Sequence, residues 1–441
     1  MIKTVTSDNI QDIKNARFRK DAGHYIKMYE DFMDNFRGFG LPIAESDYSA
    51  ERSEILEALV TLGVKVRNHG RSLLWGDKIS GACIDCHKGE HTNTFILTLK
   101  CNRDCFFCAN KNQFDYAEGK TRVNNIIELY EKSRKKTGGL HTVAITGGEP
   151  LLYLDKCLEF IRYVKSKVKQ TNIRIYTNGD LATEEVLSKL AKAGLDEIRF
   201  GLKLDDEEKL QKALSHLSSA VNHIPRAMVE MPVEPDKLDA MKHLADRFEE
   251  IRIFGINILE FLFPWVHIDE FKESGYKITK RPYKILYDYT YAGGVPIAES
   301  EISALKLLKY IAEKNYSYGA HYCSLENKLT AQIWQHNSRV KLTGMEYLSG
   351  KDFFIKMAKA YGEDAAKVRE ILNRNGVRHY NYNAPDGVIS FPIAEISSLK
   401  GEDMLIGISS VILDPIGNGK FCLREVAVDM TDTESFSLED I

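Results

Sequence analysis

Thr94-Phe-Ile-Leu-Thr-Leu-Lys-Cys-Asn-Arg-Asp-Cys-Phe-Phe-Cys-Ala-Asn110 is the stretch from which the rest of the chain is read. Its first half, 94–100, is a mostly apolar run that predicts a strand. Its second half sets Cys101, Cys105 and Cys108 in a C-x3-C-x2-C spacing on the loop that follows. Three thiolates are one fewer than a closed four-ligand metal site needs. A four-iron cluster held this way keeps one iron open to a substrate or cofactor. A structural zinc site is the competing reading, but zinc knuckles pair two C-x2-C units. Loops at the ends of strands are where catalytic groups gather.

Outward from the triplet, strand and helix patterns alternate from about residue 93 to 260. Strands are expected at 95–99, 142–146, 172–177, 198–202, 227–233 and 252–259. Val123, Ile126, Ile127 and Tyr130 mark one helix face; Leu154, Cys157, Leu158, Ile161 and Val168 mark the next. A further helix opens near Thr183, ahead of Glu184 and Glu185, and closes at Gly194. Two more fall near 205–218 and 236–249. Six strands joined by crossover helices imply a parallel sheet, open or curled into part of a barrel. The expected fold is α/β, a partial (β/α)6 TIM-like barrel with α+β extensions at both ends. Residues 299–322 add a helix and a short strand ending at Cys323.

The flanks are expected to differ from this core. Helical stretches at 9–36 and 51–62 precede a hairpin over 64–75 that turns at His69-Gly70. Residues 1–80 therefore read as a cap on the barrel or as a winged-helix-like recognition module. Residues 81–325 form the core with a preceding C-x2-C segment, and 326–441 a C-terminal extension. In that extension a helix around 351–374 leads to a strand pair, 404–413 and 420–426, joined by the turn Asp414-Pro-Ile-Gly-Asn-Gly419.

Bulk composition sets limits on function. The 441 residues are 44% hydrophobic and 28% charged, those of an ordinary globular protein with ample chain for a buried core. The formal net charge is −3 and no long Lys/Arg run appears, which argues against nucleic acid and anionic membranes as partners. The first residues lack the apolar core of a signal peptide, and no apolar run is long enough to span a bilayer. A cytoplasmic location is expected. In such a compartment, eight cysteines of which five fall within 26 residues point to metal or redox chemistry more than to disulfides.

The ends of the later strands carry further signals. The second runs into Thr146-Gly-Gly-Glu-Pro150, where Gly147 and Gly148 let the backbone approach a ligand and Glu149 offers an acceptor for an ammonium. A plain strand-to-helix turn would use the same residues, Pro150 included. The third strand ends in Tyr176-Thr-Asn-Gly179, with Thr177 and Asn178 at the strand end. Arg199 and Lys203, on the fourth, alternate with Phe200 and Leu202 and either meet an anion or point to an outer helix. Glu230, on the fifth, is a ligand contact or a rim residue.

The triplet with an aromatic before its last cysteine, followed one βα unit later by Gly147-Gly-Glu-Pro150, resembles the radical S-adenosylmethionine (radical SAM) superfamily. The likeness covers 93–260 and suggests a core like that of pyruvate formate-lyase activating enzyme or MoaA. The resemblance implies that Cys101, Cys105 and Cys108 ligate a [4Fe–4S] cluster and that its open iron chelates S-adenosylmethionine. It further implies that Gly147–Pro150 bind the methionine amino group, that Thr177 and Asn178 line the cofactor pocket, and that Phe107 packs on adenine. Arg199 or Lys203 would meet the cofactor carboxylate and Glu230 the ribose. A low-potential donor of flavodoxin or ferredoxin type would supply the electron, and a 5′-deoxyadenosyl radical would take hydrogen from the substrate.

A second constellation lies in Gly81-Ala-Cys-Ile-Asp-Cys-His-Lys-Gly89. Cys83-x2-Cys86-His87 matches the haem c attachment pattern, which the expected compartment disfavours. The better reading is a second metal site, a [4Fe–4S] cluster or zinc, completed by Cys323 and Cys422, with His87 and His91 as substitutes. Four inert buried cysteines are the plain alternative, and Cys157 reads as core. Three functions stay open: radical chemistry on a peptide or protein side chain, the same chemistry on a small metabolite, and a non-catalytic zinc or iron–sulfur module.

Overall fold

Parallel strands need a crossover of a dozen or more residues between them, usually helical, and this chain supplies one after each core strand. The computed structural model describes residues 1–113, 115–280, 294–417 and 420–441. These residues fall into two compact units, 39–280 with 294–331, and 1–38 with 332–441. Helix α1 (Ala16–Gly38) belongs to the second of these. The expected 1–80 module is thus divided at residue 38.

In the core unit, α2 (Ser49–Thr61) leads to β1 (Lys65–Arg67) and β2 (Ser72–Trp75), the expected hairpin, and then to the short α3 (Gly81–Asp85). The alternation follows as β3 (Thr92–Thr98), α4 (Tyr116–Gly119), α5 (Ile126–Thr137), β4 (Thr142–Gly147), α6 (Leu154–Lys167) and β5 (Asn172–Thr177). It continues through α7 (Glu184–Ala193), β6 (Glu197–Phe200), α8 (Glu207–His223), β7 (Arg226–Val233), α9 (Leu238–Ile251) and β8 (Gly255–Glu260). After the small β9 (Leu262–Phe263), α10 (Ile268–Glu273) and β10 (Val295–Pro296) come α11 (Ser300–Glu313), β11 (Gly319–Cys323) and α12 (Leu325–Asn337), of which residues 332–337 belong to the second unit.

The sheet order is β1-β2-β11-β8-β7-β6-β5-β4-β3. Strands β3 to β8 and β11 run parallel, so the short strand ending at Cys323 becomes a seventh parallel strand. Strand β2 then extends the row antiparallel to β11, with β1 at its edge. One face of these strands is apolar: Ile173, Ile175, Ile198, Phe200, Ala227, Val229, Ile256 and Ile258 pack in a core with residues of α6 to α9 and α11. Alternate positions (Arg174, Tyr176, Glu197, Arg199, Glu230, Asn257, His321) are polar. Strand periodicity puts them together on the opposite face.

Local signals place the elements as expected. Thr183 Oγ1 accepts from Val186 N–H, Glu184 and Glu185 occupy the first turn, and Gly194 closes α7 at φ 99°. Cys157 is fully buried and its thiol donates to Pro150 O at 3.3 Å.

The second unit is a separate sheet of β12 (Tyr347–Leu348), β13 (Ile355–Tyr361), β14 (Asn381–Asn383), β15 (Val388–Phe391), β16 (Leu405–Gly417) and β17 (Lys420–Asp432), with α13 (Glu363–Arg374). Its order is β14-β15-β13-β16-β17, with β12 beside β13. Helix α1 lies on it: Phe18 stacks on Tyr361 at 4.6 Å, and Lys359 pairs with both Asp21 and Glu425. The expected helix over 351–374 is corrected here. Only 363–374 is helical, because 355–361 pairs on both edges and is held as a central strand. The strand pair 404–426 is present and longer than expected, pairing as far as Gly417 with Lys420; the rest of its turn, 418–419, lies outside the described residues. No described helix is long and apolar enough to cross a membrane.

Candidate functional site

A cavity of about 370 Å³ opens at the C-terminal ends of the parallel strands, the end at which α/β sheets bind ligands. Each strand end contributes in turn. The loop after β3 brings Cys101, Arg103, Cys105, Phe107 and Cys108; β4 brings Gly147 and Gly148; β5 brings Tyr176, Thr177 and Asn178. From β6 onward come Arg199, Gly201, Lys203, Glu230, Pro232, Leu259 and Glu260, with Leu325 and Lys328 from α12. The three cysteines therefore face the Gly-Gly turn and the Thr-Asn pair across one cavity.

Backbone contacts fix this arrangement. Gly148 N–H donates to Thr98 O at 2.7 Å and Glu149 N–H to Lys100 O at 2.8 Å, so the end of β4 grips the chain just before Cys101. A Cβ on Gly148 would stand 2.1 Å from Lys100 O, which only glycine avoids. The loop carrying Cys101, Cys105 and Cys108 is held from the other side by Asp180. Arg103 donates to it through Nε at 2.9 Å and Nη2 at 2.6 Å, and Asn102 Nδ2 at 2.8 Å. Asn178 joins the two by donating to Asn102 Oδ1 at 2.8 Å. Asp180 escaped the sequence reading, although it directly follows Tyr176-Thr-Asn-Gly179; only its partner across the sheet reveals its purpose.

Glu149 and Pro150 differ from expectation: neither lines the cavity. Glu149 is fully buried. Its Oε1 accepts from Leu151 N–H and Thr177 Oγ1, and its Oε2 from Asn178 N–H. The carboxylate is a latch between the ends of β4 and β5, and the Gly147-Gly148 backbone lines the cavity wall beside it. Burial pushes Glu149 up to about 7 against the three donors.

Arg199 points inward, not to an outer helix, and is 2% exposed. It pairs with both Glu197 and Glu230 and donates to Tyr176 Oη at 3.4 Å. Glu230 lines the cavity, and its Oε2 accepts from Arg199 and from Asn257 Nδ2. Burial opposes its charge, but Arg199, Lys328 and Asn257 outweigh that and leave it at about 2. Two carboxylates already occupy Arg199. Lys203, by contrast, makes no ion pair among the described residues and holds its Nζ 4.8 Å above the Phe107 ring. Phe107 itself packs edge-on against Phe106 and Phe261.

Glu260, at the end of β8, was not foreseen. Its Oε1 accepts from Tyr322 Oη and from Leu325 N–H, both at 2.9 Å. Burial, with Glu301 nearby, raises it to about 8. A raised carboxyl stabilises the fold fully below its unfolded pKa near 4.5, and that contribution is lost as pH rises through 8. Glu260→Gln keeps the Oε1 acceptor and removes the titration. Thermal melts from pH 6 to 9 are expected to show the wild type losing about 2 kcal/mol more than Glu260→Gln; parallel curves would contradict this.

Of the second constellation, Cys83, Cys86 and Cys323 lie in this unit and Cys422 lies on β17 of the other. Cys83 Sγ accepts from Arg199 Nη2 at 3.4 Å and Asn257 Nδ2 at 3.3 Å. His91 is engaged elsewhere, its Nδ1 3.3 Å from Gly139 O and its ring stacked on His141.

Residues 95–257 match the family model described as the radical SAM superfamily. A protein of Methanocaldococcus jannaschii named as a glycyl-radical enzyme activating enzyme is 29% identical over 243 residues, 53% of this chain and 60% of its own length. A protein of the same organism named as a GTP 3′,8-cyclase is 30% identical over 38% of this chain and 57% of its own. The chain thus spans little more than half of these relatives. Streptococcus suis SuiB bound to the precursor peptide SuiA aligns at 15% identity over 72% of this chain and 67% of that one, with a TM-score of 0.39, a likeness too distant to support an argument.

Proposed function

The chain carries a radical SAM superfamily domain over residues 95–257, and from that premise we propose that it is a radical SAM enzyme whose working site is the cavity at the strand ends. The observation that carries this reading is the meeting of Cys101, Cys105 and Cys108 with Gly147-Gly148 and Thr177-Asn178 around one cavity. When bound, a [4Fe–4S] cluster and S-adenosylmethionine supply a 5′-deoxyadenosyl radical that removes hydrogen from the substrate.

The chain's own residues then have distinct tasks. Cys101, Cys105 and Cys108 are the thiolate ligands, on a loop fixed by Asp180 and by the β4 backbone. The carbonyls of the Gly147-Gly148 turn would accept from the cofactor ammonium, Gly147 O doing so beside Asn110 Nδ2, which donates to it at 2.6 Å. Lys203, which makes no ion pair among the described residues and stands over Phe107, would meet the cofactor carboxylate. Phe107, Phe261, Leu259 and Leu325 form apolar walls that keep water from the reacting centre. Tyr176, Arg199 and Glu230, rigidly bonded to one another, form a polar floor on which substrate is positioned.

For the substrate, a peptide or protein side chain is favoured over a small metabolite, because the relative named as an activating enzyme has another enzyme as its target. Anaerobic protein reconstituted with iron and sulfide, then reduced with dithionite in the presence of S-adenosylmethionine, is expected to release 5′-deoxyadenosine. Protein that holds its iron and cofactor yet releases none would overturn the assignment. Deuterium carried into 5′-deoxyadenosine from labelled polypeptide, and not from a labelled metabolite extract, would support the substrate class; the reverse would replace it.

A further inference from the structure

A buried cation inside the core unit has no counter-charge in contact. Arg174 on β5 is 7% exposed, its Nε is buried without a hydrogen-bond partner, and its guanidinium makes no ion pair among the described residues. It lies over the Tyr176 ring at 5.5 Å. The neighbouring Glu197 is already occupied by Arg199, Arg226 and Ser80. Glu197 and Glu230 lie within electrostatic reach of Arg174 without pairing with it, and a buried cation without a partner in contact favours a further anion beside it.

Thiols surround the same interior. Cys83 stands on α3, Cys86 at its C-terminal cap and Cys323 at the end of β11. The three lie within electrostatic reach of one another, and Arg174 within reach of Cys83 and Cys86. Their sulfurs are met by donors: Arg199 Nη2 and Asn257 Nδ2 on Cys83, at 3.4 and 3.3 Å, and Asn327 Nδ2 on Cys323 at 3.4 Å. Asn257 is itself fixed by His321, whose Nδ1 is 3.0 Å from its Oδ1 while Nε2 meets Ser72 Oγ at 2.8 Å. Hydrogen bonds to ligand sulfurs, backed by a second layer that orients the donors, are how metal–thiolate centres are built. Among the described residues no three His, Cys, Asp or Glu side chains stand close enough to hold one metal ion, and that is equally true of Cys101, Cys105 and Cys108. The thiols of a cluster bind separate irons and stand further apart.

We infer that Cys83, Cys86 and Cys323 hold a second iron–sulfur cluster, a three-thiolate [4Fe–4S] centre whose negative charge is met by Arg174. It adjoins the strand-end cavity through Arg199, which touches both Cys83 and Glu230. The set needs no residue from the other unit, so Cys422 is not part of it.

The test removes the first site and asks whether iron stays. Full-length Cys101→Ala/Cys105→Ala/Cys108→Ala, reconstituted anaerobically with ferrous iron and sulfide, is expected to hold about four irons and four sulfides. Adding Cys83→Ser/Cys86→Ser, or Cys323→Ser, should lower that to background. Arg174→Gln in the same triple variant should keep the iron and move the cluster's midpoint potential downward, since a nearby cation favours the reduced, more negative state. A triple variant that melts like the wild type but holds no iron overturns the inference, and so does zinc without sulfide. If the triple variant does not fold, the wild type decides. About eight irons falling to about four in Cys83→Ser/Cys86→Ser supports the site; an unchanged count overturns it. Release of 5′-deoxyadenosine by the wild type is a separate result, so either reading can fail without the other.

Discussion

Gly148→Ala is expected to lower 5′-deoxyadenosine release by at least about 100-fold while leaving the fold intact, as if Cys105, a proposed cluster ligand, had been removed. The added Cβ would lie 2.1 Å from Lys100 O, 2.5 Å from Lys100 C and 2.7 Å from Leu99 O. All three are backbone atoms, and no rotamer change relieves them. Relief requires separating two chains bonded through Gly148 N–H to Thr98 O and Glu149 N–H to Lys100 O. Because Lys100 directly precedes Cys101, the displacement falls on the cluster loop, and a shift of about 1 Å at a reacting centre commonly costs two orders of magnitude. The measurement is iron content and product release beside Cys105→Ala, with circular dichroism as the control. Wild-type release by Gly148→Ala would show that the grip of β4 on this loop does not set the geometry.

Arg199→Met is expected to destabilise the protein by about 3–5 kcal/mol in anaerobic denaturant unfolding, the range for breaking a buried ion pair by deleting one partner. Methionine fits the space but leaves Glu197, fully buried, and Glu230, largely buried, without their shared cation. The pH dependence should change with it. In the wild type Glu230 titrates at about 2, so its contribution is present above pH 4.5 and is lost as pH falls toward 2. Without Arg199, burial acts on it with less opposition and the carboxyl rises. The deficit of Arg199→Met should therefore be larger at pH 7 than at pH 4.5. Arg199→Lys, keeping the charge but not the fork that reaches two carboxylates, should fall between. A loss under about 1 kcal/mol would mean that water or a shifted side chain replaces the pair.

The readings that succeeded and those that failed differ in the range of the interaction involved. The C-x3-C-x2-C triplet, the Gly-Gly turn one βα unit later and the cap of α7 are each written in a few consecutive residues, and local spacing suffices to find them. Glu149 reads as a ligand by its type, and only the tertiary structure shows three donors from two separate strand ends on its carboxylate. Residues 351–361 looked helical because Lys and Ala carry helix propensity, and pairing on both edges of β13 overrode it. The 1–80 segment reads as one piece, yet α1 packs against β13 and β17 while β1 and β2 extend the core sheet.

What the sequence alone determined is therefore local: three cysteines on a strand-end loop and the parallel βα series that carries them. Such signals depend on neighbours within a few positions, and covalent connection holds those in register whatever the rest of the chain does. The tertiary structure alone decided which charges are in use. It ties Arg103 to Asp180, fills Arg199 with Glu197 and Glu230, and leaves Arg174 buried without an ion pair beside Cys83 and Cys86. Those partners come from strands many residues apart, and a charge's partner depends on distance through space and burial, which no spacing along the chain encodes.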